Sequence, residues 1–329
     1  PQVVWPKTTA VTASAVAALA QIASSPRFKQ QFPTEAALYM QKAQLGWNFL
    51  EQAIAAHGKD GSYQKITHYG DHFMHDDELA WAAASMFVAT GNPSYHQKLK
   101  EWLPDPNDLN INRWTWWRLF DAYGGAIRAY AFAARTGRLD ASVLDPVYLA
   151  KCENQVKLAG KDQADRARDS AYGSSFPNQS KRYMNAGWYF SASQAFDLAA
   201  AYVLDPNPAT IDAIVSNMNY EMGCNPINMT FVTGLGWKRQ REIVHQFAKN
   251  EPRVLPPSGI PLGNMQTSFQ YSDKYPEIKT LSYLSDTSTS ASYPLYDRWA
   301  DTWNVTTEFV VIDQSRGLGA MAFLMARTP

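Results

Sequence analysis

Cysteine is scarce in this chain. The 329 residues contain only Cys152 and Cys224, so at most one disulfide can form. A single bridge and two buried free thiols are equally good interpretations of so small a number. A fold held together by several disulfides is excluded.

Long apolar runs and net charge are also lacking. No run of about 18 apolar residues occurs, so we expect no membrane-spanning helix. Thirty basic and thirty acidic residues cancel. No strong electrostatic field would therefore attract nucleic acid or an anionic membrane, and we expect neither as a partner.

Aromatic residues, in contrast, are abundant, with 11 Trp, 17 Tyr and 15 Phe. Some of them will belong to the core, since a chain of this length can bury a substantial one in one large or two ordinary domains. Trp and Tyr also combine a flat apolar face with a polar group, which suits stacking on weakly charged ligands such as sugars.

The sequence reads as a series of helices. Apolar residues recur at helical spacing, and Gly or Asp-Pro turns end the segments. Strand-like alternation is almost absent, which predicts an all-α fold of paired helices around a common core. A solenoid is the competing arrangement, but no fixed-period repeat supports it. The predicted helices are Thr9–Ala23, Thr34–Ala56, Asp77–Ala89, Trp114–Thr136, Asp145–Leu158, Asn185–Leu204 and Ala209–Met222.

Some local details of these helices are predicted as well. Thr34 is expected to cap the second helix, and Gly137 and Gly160 are expected to end the fourth and fifth. The segment Asn225–Ala300 has no helical pattern and contains seven prolines, but its many aromatics argue against disorder. The residues expected to form the apolar side of the second helix are Leu38, Leu45, Phe49 and Ile54.

Glu308 stands out near the C-terminus. It lies between Thr307 and the apolar run Phe309–Ile312, which continues into a helical pattern ending near Ala326. Desolvation at the mouth of an apolar helix would raise the pKa of this carboxyl group and keep it protonated near neutrality, as a general acid requires. The alternative is that Thr306 or Thr307 caps the helix and Glu308 only complements the helix dipole.

A second motif follows the helix Ala209–Met222. It reads Gly223-Cys-Asn-Pro-Ile-Asn-Met-Thr-Phe-Val-Thr-Gly-Leu-Gly236. The pattern indicates a C-cap glycine, a turn, a short extended run and a glycine pair where the backbone bends closely. By itself this is a structural corner. It also resembles the signature of the glycoside hydrolase family 9 cellulases, Gly-x-Asn-Pro followed by Tyr or Phe-Val-Thr-Gly-x-Gly.

The resemblance covers nearly the whole chain. It implies an (α/α)6 barrel with a sugar cleft at one end, and inverting hydrolysis of β-1,4-glucans with Glu308 at the position of the family's general acid. It also favours a secreted or periplasmic location. Further segments resemble the family in the same order, namely Trp5–Ala13, Asp77–Ala83 with Ala89–Gly91, Met184–Trp188 and Trp303–Ala322.

The resemblance does not supply a catalytic base. The family takes it from an Asp-Ala-Gly-Asp motif, which this sequence lacks. We therefore expect residues 1–329 to be the C-terminal portion of one catalytic domain, with the base and the early helices on another polypeptide or lost. Half a barrel would expose a large apolar face, so a partner segment is expected.

Several positions resemble sugar-binding residues of the family. The helix segment Arg113–Arg118 carries tryptophans on more than one side, so at least one should face a cleft, although a lone Trp is more often core. Gln246-Phe247 replace a His-Arg pair, Thr307 replaces Asn, and Asp313 replaces Tyr. An Asp there would suit a cationic sugar, which makes an exo-acting glucosidase or a glucosaminidase an alternative. The expected sugar-binding residues are Tyr69, His72, Trp116, Trp188, His245 and Asp313.

Residues 68–78 contain three His and four carboxylates. Zinc would suit such a cluster, but the spacing matches no standard zinc motif. A solvated loop with Asp76 or Asp77 capping the next helix is the simplest interpretation. The resemblance implies a third one, in which Asp77, Glu78 and Asp121 bind a structural calcium ion through oxygen. No other cofactor is expected.

Two classes of function follow. The first is an inverting glycosidase that acts on a β-linked polysaccharide or oligosaccharide, which the intact Glu308 favours. The second is a carbohydrate-binding or assembly protein that keeps the cleft without the chemistry, which the absent base and the changes at Thr307 and Asp313 favour.

Overall fold

A computed structural model of the chain describes residues 7–63, 75–108, 118–119, 122–175, 191–225, 228–237, 243, 255–262, 309 and 311–327. For residues 191–192 and 312–313 it describes the backbone alone. The chain divides into two compact units, residues 1–158 and 159–329. Within the described ranges every extended regular element is a helix, and the β-structure is one isolated bridge between Val232 and Pro261. The predicted all-α class is confirmed.

The first unit is built around helix α1, which packs against α3 and α4. The Thr8 hydroxyl accepts a hydrogen bond of 3.2 Å from the Val11 amide and so caps α1. Small buried residues such as Ala13, Ala17 and Ala20 allow its neighbours to approach closely. The helices of this unit are α1 Thr9–Ser24, α2 Pro26–Gln31, α3 Pro33–His57, α4 Asp76–Thr90, α5 Pro93–Trp102 and α6 Ala122–Ala131.

Aromatic rings form much of the core of the first unit. Trp47 of α3 meets Tyr95 of α5 edge to face, with ring centroids 4.9 Å apart. Phe87 of α4 stacks on His96 at 4.6 Å, and the His96 Nε2 lies 3.1 Å from the Tyr130 hydroxyl. Burial lowers the pKa of His96, so this ring is neutral at neutral pH. Part of the aromatic content therefore serves packing, as predicted.

The second unit has its core between α8, α9 and the last helix. Leu198, Ile214, Phe231 and Ala320 belong to one buried apolar cluster. No described helix in either unit is long and apolar enough to cross a membrane. The remaining helices are α7 Pro146–Asp169, which starts before residue 158, α8 Ser191–Leu204, α9 Pro208–Glu221 and α10 Val311–Met325.

The predicted details of α3 are partly wrong. Its N-cap is Phe32, with no side-chain cap hydrogen bond, and Pro33 rather than Thr34 begins the helix. Leu38 and Leu45, predicted to lie on the apolar side of this helix, are 45 % and 56 % exposed. The packing of α1 and α5 instead buries another face of α3. That face consists of Ala36, Ala43, Trp47 and Leu50.

Two predicted helix boundaries are also wrong. Helix α7 continues through Gly160. A side chain at this position would overlap the Ala201 side chain of α8. The glycine thus permits close helix packing and does not end the helix. In the segment predicted as Trp114–Thr136, Leu119 lies in a turn with φ 62° and the described helix is only α6. Residues 114–117 and 185–190 lie outside the described residues.

Other boundaries are confirmed. Gly91, with φ 70°, follows α4, and Gly223, with φ 122°, follows α9. Helices α2 and α5 were not predicted. Each has proline at its first position. An amide at that position has no intrahelical hydrogen-bond partner, so the helix loses nothing when proline lacks the amide hydrogen.

The two cysteines are both free. Cys152 is buried, and desolvation raises the pKa of its thiol. Cys224 is exposed. Neither the predicted disulfide nor the predicted pair of buried thiols is therefore found.

Candidate active site

The turn after α9 is closed by the side chain of Asn225. Its Nδ2 donates hydrogen bonds of 2.8 Å to the Tyr220 carbonyl and 2.7 Å to the Met229 carbonyl, and its Oδ1 accepts one of 3.3 Å from the Met229 amide. Asn225 is 6 % exposed, so these bonds are shielded from water. One side chain thus fixes the path of the chain from the end of α9 into the extended run.

Thr233 ties this extended run to a second segment, residues 255–262. Its hydroxyl donates a 2.5 Å hydrogen bond to the Pro257 carbonyl and accepts one of 2.9 Å from the Ile260 amide. Its own amide donates a 2.9 Å bond to the Ile260 carbonyl. Both the backbone and the side chain of Thr233 therefore hold the two segments together.

Gly234 and Gly236 complete the corner. Both have φ +74°, a backbone conformation that L side chains rarely adopt. A Cβ at Gly234 would overlap Ser258, and one at Gly236 would overlap the Thr230 hydroxyl. The predicted close backbone bend at this glycine pair is confirmed.

Trp237 follows directly on the glycine pair and is fully exposed, at 101 % of its reference area. Leu235 beside it is 44 % exposed. An indole is among the least favourable side chains to leave in water, and aromatic faces stack on sugars. Sequence reasoning did not select Trp237 as a site residue, although its position after Gly236 was a usable signal.

Helix α10 is joined to α8 by a buried ion pair. A terminal nitrogen of Arg316 lies 3.6 Å from Asp197 Oδ2, and the two side chains are 7 % and 1 % exposed. The Arg316 guanidinium also lies over the Phe196 ring, 5.7 Å from its centroid. Helix α10 begins at Val311, three residues after Glu308 in the sequence. The pair therefore fixes the helix that follows the predicted acid.

Most predicted site residues cannot be placed. Asp313 is in the first turn of α10, where only the backbone is described. The roles assigned to these residues from the sequence therefore stay predictions. The residues that lie outside the described ones are Tyr69, His72, Trp116, Asp121, Trp188, His245 and Glu308.

Asp77 has a role that the sequence did not indicate. It is 7 % exposed, and its Oδ2 accepts a 3.0 Å hydrogen bond from the Ala122 amide at the start of α6. Asp76 pairs with Lys59 at 2.7 Å. Both aspartates lie inside the first turn of α4, which has no side-chain cap hydrogen bond, so the predicted cap of this helix is wrong. Asp77 instead caps α6 from a neighbouring helix.

His75 is buried and engaged at both ring nitrogens. Its Nδ1 lies 2.6 Å from the Thr9 hydroxyl and its Nε2 lies 2.8 Å from the Lys59 carbonyl. Burial lowers the pKa of the ring. In the described part of the chain, no three His, Cys, Asp or Glu side chains are gathered so that they could hold a metal ion. His75 thus joins three segments and has no nitrogen left for zinc.

The chain belongs to glycosyl hydrolase family 9, whose sequence model matches residues 2–287. It is 23 % identical to Endoglucanase 3 of Arabidopsis thaliana over 296 residues, which cover 86 % of this chain and 58 % of that protein. It is 24 % identical to a cellulose 1,4-beta-cellobiosidase of Acetivibrio thermocellus over 295 residues, which cover 82 % of this chain and 31 % of that protein.

The solved structure of AaCel9A in complex with cellobiose-like isofagomine has a similar fold. Its TM-score is 0.73 at 18 % identity, with 99 % of this chain and 57 % of that chain covered. The fold is therefore that of the family's (α/α)6 barrels, in part, as predicted. The chain spans about half the length of such relatives.

Replacing Asn225 with Ala should destabilise the protein by about 1–3 kcal/mol, because two buried carbonyls and one amide lose their partner. Urea unfolding measures the effect. The matched control is Asn48→Ala, whose exposed side chain accepts one hydrogen bond from Gln44 and whose loss should change stability by less than about 0.5 kcal/mol. Equal effects of the two substitutions would show that Asn225 does not hold the corner.

Proposed function

We propose that the protein is a glycoside hydrolase that cleaves β-1,4-glucans with inversion, with Glu308 as the general acid. The family match over residues 2–287 is the observation that carries this proposal. The closed corner around Asn225 and the ordered helix α10 after Glu308 support it.

The relatives indicate the substrate class. One is an endoglucanase, one a cellulose 1,4-beta-cellobiosidase, and one was solved with a cellobiose-like ligand. These names include both an internal and a terminal mode of cellulose cleavage. We assign β-linked glucan as the substrate of this chain on the strength of that shared chemistry.

In the proposed reaction the Glu308 carboxyl gives its proton to the glycosidic oxygen as the bond from that oxygen to C1 breaks. A water molecule attacks C1 from the opposite side, and a carboxylate base takes the proton of that water. The two carboxyl groups of an inverting enzyme stand about 6.5–9.5 Å apart to leave room for the water. We place the base in the part of the family domain that residues 1–329 do not match.

A second candidate, a glucosaminidase or exo-acting glucosidase, is favoured by Asp313. This residue lies in the first turn of α10, at a position where the family resemblance leads us to expect a tyrosine. An ionised carboxylate near the cleaved bond would favour an amino sugar. A carbohydrate-binding protein without hydrolysis is the outcome if no base is supplied.

Replacing Glu308 with Gln should lower hydrolysis by about 10²–10⁴-fold while oligosaccharide binding is retained, because the amide cannot donate the proton of an acid. Sugar release from soluble β-glucan, cellooligosaccharides and chitosan oligosaccharides measures this. Glu101→Gln, on an exposed pair with Lys98, is the matched control and should hydrolyse like the parent.

Hydrolysis by Glu308→Gln at the parental rate would overturn the assignment of the acid. Release by the parent from chitosan oligosaccharides alone would favour the glucosaminidase. No release by the parent from any of these substrates, with binding retained, would leave the carbohydrate-binding function.

We also propose that Trp237 stacks on a sugar ring of the bound chain. Trp237→Ala should raise KM, or the dissociation constant of an oligosaccharide, by about two- to tenfold with a smaller effect on kcat. Trp237→Tyr keeps an aromatic face and should retain most of the affinity. If both variants bind as the parent does, or lose affinity equally, the indole is not a stacking platform.

A structural calcium ion bound by Asp77, Glu78 and Asp121 remains part of the proposal. The oxygen donors suit calcium, and the hydrogen bond from the Ala122 amide to Asp77 Oδ2 already brings the start of α4 close to the start of α6. The ion would tie the start of α4 to the chain before α6 and take no part in the chemistry.

Calcium at about 100 times its dissociation constant should then stabilise the chelator-treated protein by about 2.7 kcal/mol. Asp77→Asn keeps an acceptor for the Ala122 amide but removes the ligand charge, so it should lose most of this gain. Asp76→Asn, which alters the pair with Lys59, should keep it. Thermal unfolding with and without calcium measures all three. A parent that shows no response to calcium would exclude the site.

A further inference from the structure

Helices α8 and α10 pack against each other through small and apolar side chains. Ala195 and Leu198 of α8 and Ala320 of α10 belong to one buried cluster. The Phe196 ring lies so close to α10 that a Cβ added to Gly319 would be 3.0 Å from it. Apolar contacts have no preferred direction, so by themselves they would let α10 shift along α8.

The buried pair of Asp197 and Arg316 is a directional contact within this interface. The guanidinium nitrogen lies 3.6 Å from the carboxylate oxygen, and the guanidinium also lies over the Phe196 ring. A buried ion pair adds little net stability, because the desolvation of both charges offsets their attraction. The best-attested role of such a pair is to specify one register between packed elements. We therefore interpret it as the contact that sets the position of α10 along α8.

Gln194 is a further buried polar side chain in this part of α8. It is 0 % exposed and lies one helical turn before Asp197, on the same side of the helix. Within the described part of the chain, neither polar atom of its carboxamide has a hydrogen-bond partner. An unpaired buried carboxamide lowers stability. Polar groups that are kept in spite of such a cost are expected near functional sites.

The pair lies at the end of α10 that is nearer to Glu308 in the sequence. Asp197 is in the second turn of α8 and Arg316 is in the second turn of α10. At the other end of the interface, Arg327 donates a 2.9 Å hydrogen bond to the Tyr202 hydroxyl. The two helices therefore run in the same direction. Glu308 precedes the first residue of α10 by three positions.

We propose that Arg316 is a positioning residue for the general acid. Its pair with Asp197 sets the position of α10, and α10 in turn sets where the chain presents Glu308 to the glycosidic oxygen. This inference rests on the proposed function. A general acid must come within about 2.6–3.2 Å of the oxygen that it protonates. A displacement of about 1 Å is enough to slow a reaction about 100-fold.

Two substrates test this role in the natural protein. A cellooligosaccharide needs a proton on its leaving oxygen, whereas dinitrophenyl β-cellobioside releases a stable phenolate without an acid. Arg316→Gln should lower kcat on cellooligosaccharides by about 10–100-fold with little change in KM. Its kcat on the dinitrophenyl substrate should change by less than about threefold. The ratio of the two rates does not depend on the fraction of enzyme that is folded.

Arg327→Gln is the matched control. It removes an arginine that joins the same two helices and also lies over an aromatic ring, 4.5 Å from the centroid of Tyr202. Because this contact is at the far end of α10, both rates should equal those of the parent. Arg316→Lys keeps the charge but not the planar guanidinium, so it should show a smaller loss with the same selectivity. It gives the measurement if the glutamine variant does not fold.

Equal losses on the two substrates would show that Arg316 is only structural and would overturn the proposal. Unchanged rates in the Arg316 variants, or the same selective loss in Arg327→Gln, would overturn it as well. Glu308→Gln tests the proposed function separately and should itself lose activity on cellooligosaccharides alone. If it shows no such selective loss, the assignment of the acid is wrong and this inference fails with it. A selective loss in Glu308→Gln without one in Arg316→Gln would reject the positioning role alone.

Discussion

The hydrogen bonds of the Asn225 carboxamide determine the corner on which the candidate site depends. A turn that leaves a helix exposes carbonyl groups that the helix no longer satisfies, and burying them without partners is unfavourable. Asn225 satisfies the carbonyls of Tyr220 and Met229 from a single side chain. The run that follows can then stay buried, with Phe231 at 0 % exposure, and reach Thr233 in the orientation that residues 255–262 require.

The corner also explains why its residue types are so specific. Thr233 uses its hydroxyl as donor and acceptor at once, which a valine of the same shape could not do. Gly234 and Gly236 are restricted by both their φ angles and their neighbours. A site built on such a corner gains rigidity from groups that never touch substrate. Trp237 follows that segment directly and is fully exposed.

The positions of most helices and the tight turn after α9 could be predicted from the sequence because both depend on local chemistry. Glycine stops such as Gly91 follow from backbone conformation, and the glycine pair follows from close bending. The prediction that Gly160 ends a helix is wrong because glycine is required there by the Ala201 side chain of another helix. A contact between helices cannot be read from the local sequence pattern. For the same reason the predicted apolar side of α3 includes the exposed Leu38 and Leu45, since a periodic row shows that a helix has an apolar side but not what covers it.

The buried pair of Asp197 and Arg316 has a consequence for temperature. At ordinary temperatures the desolvation of two charges offsets much of their attraction, so such a pair adds little net stability. The hydration of charged groups becomes less favourable on heating, and the penalty for burying them falls. The ion pair between α8 and α10 therefore contributes relatively more to stability on warming, while the stabilisation per unit of buried apolar area levels off. The helix that follows Glu308 should be among the last parts of this unit to loosen as the protein approaches its melting temperature.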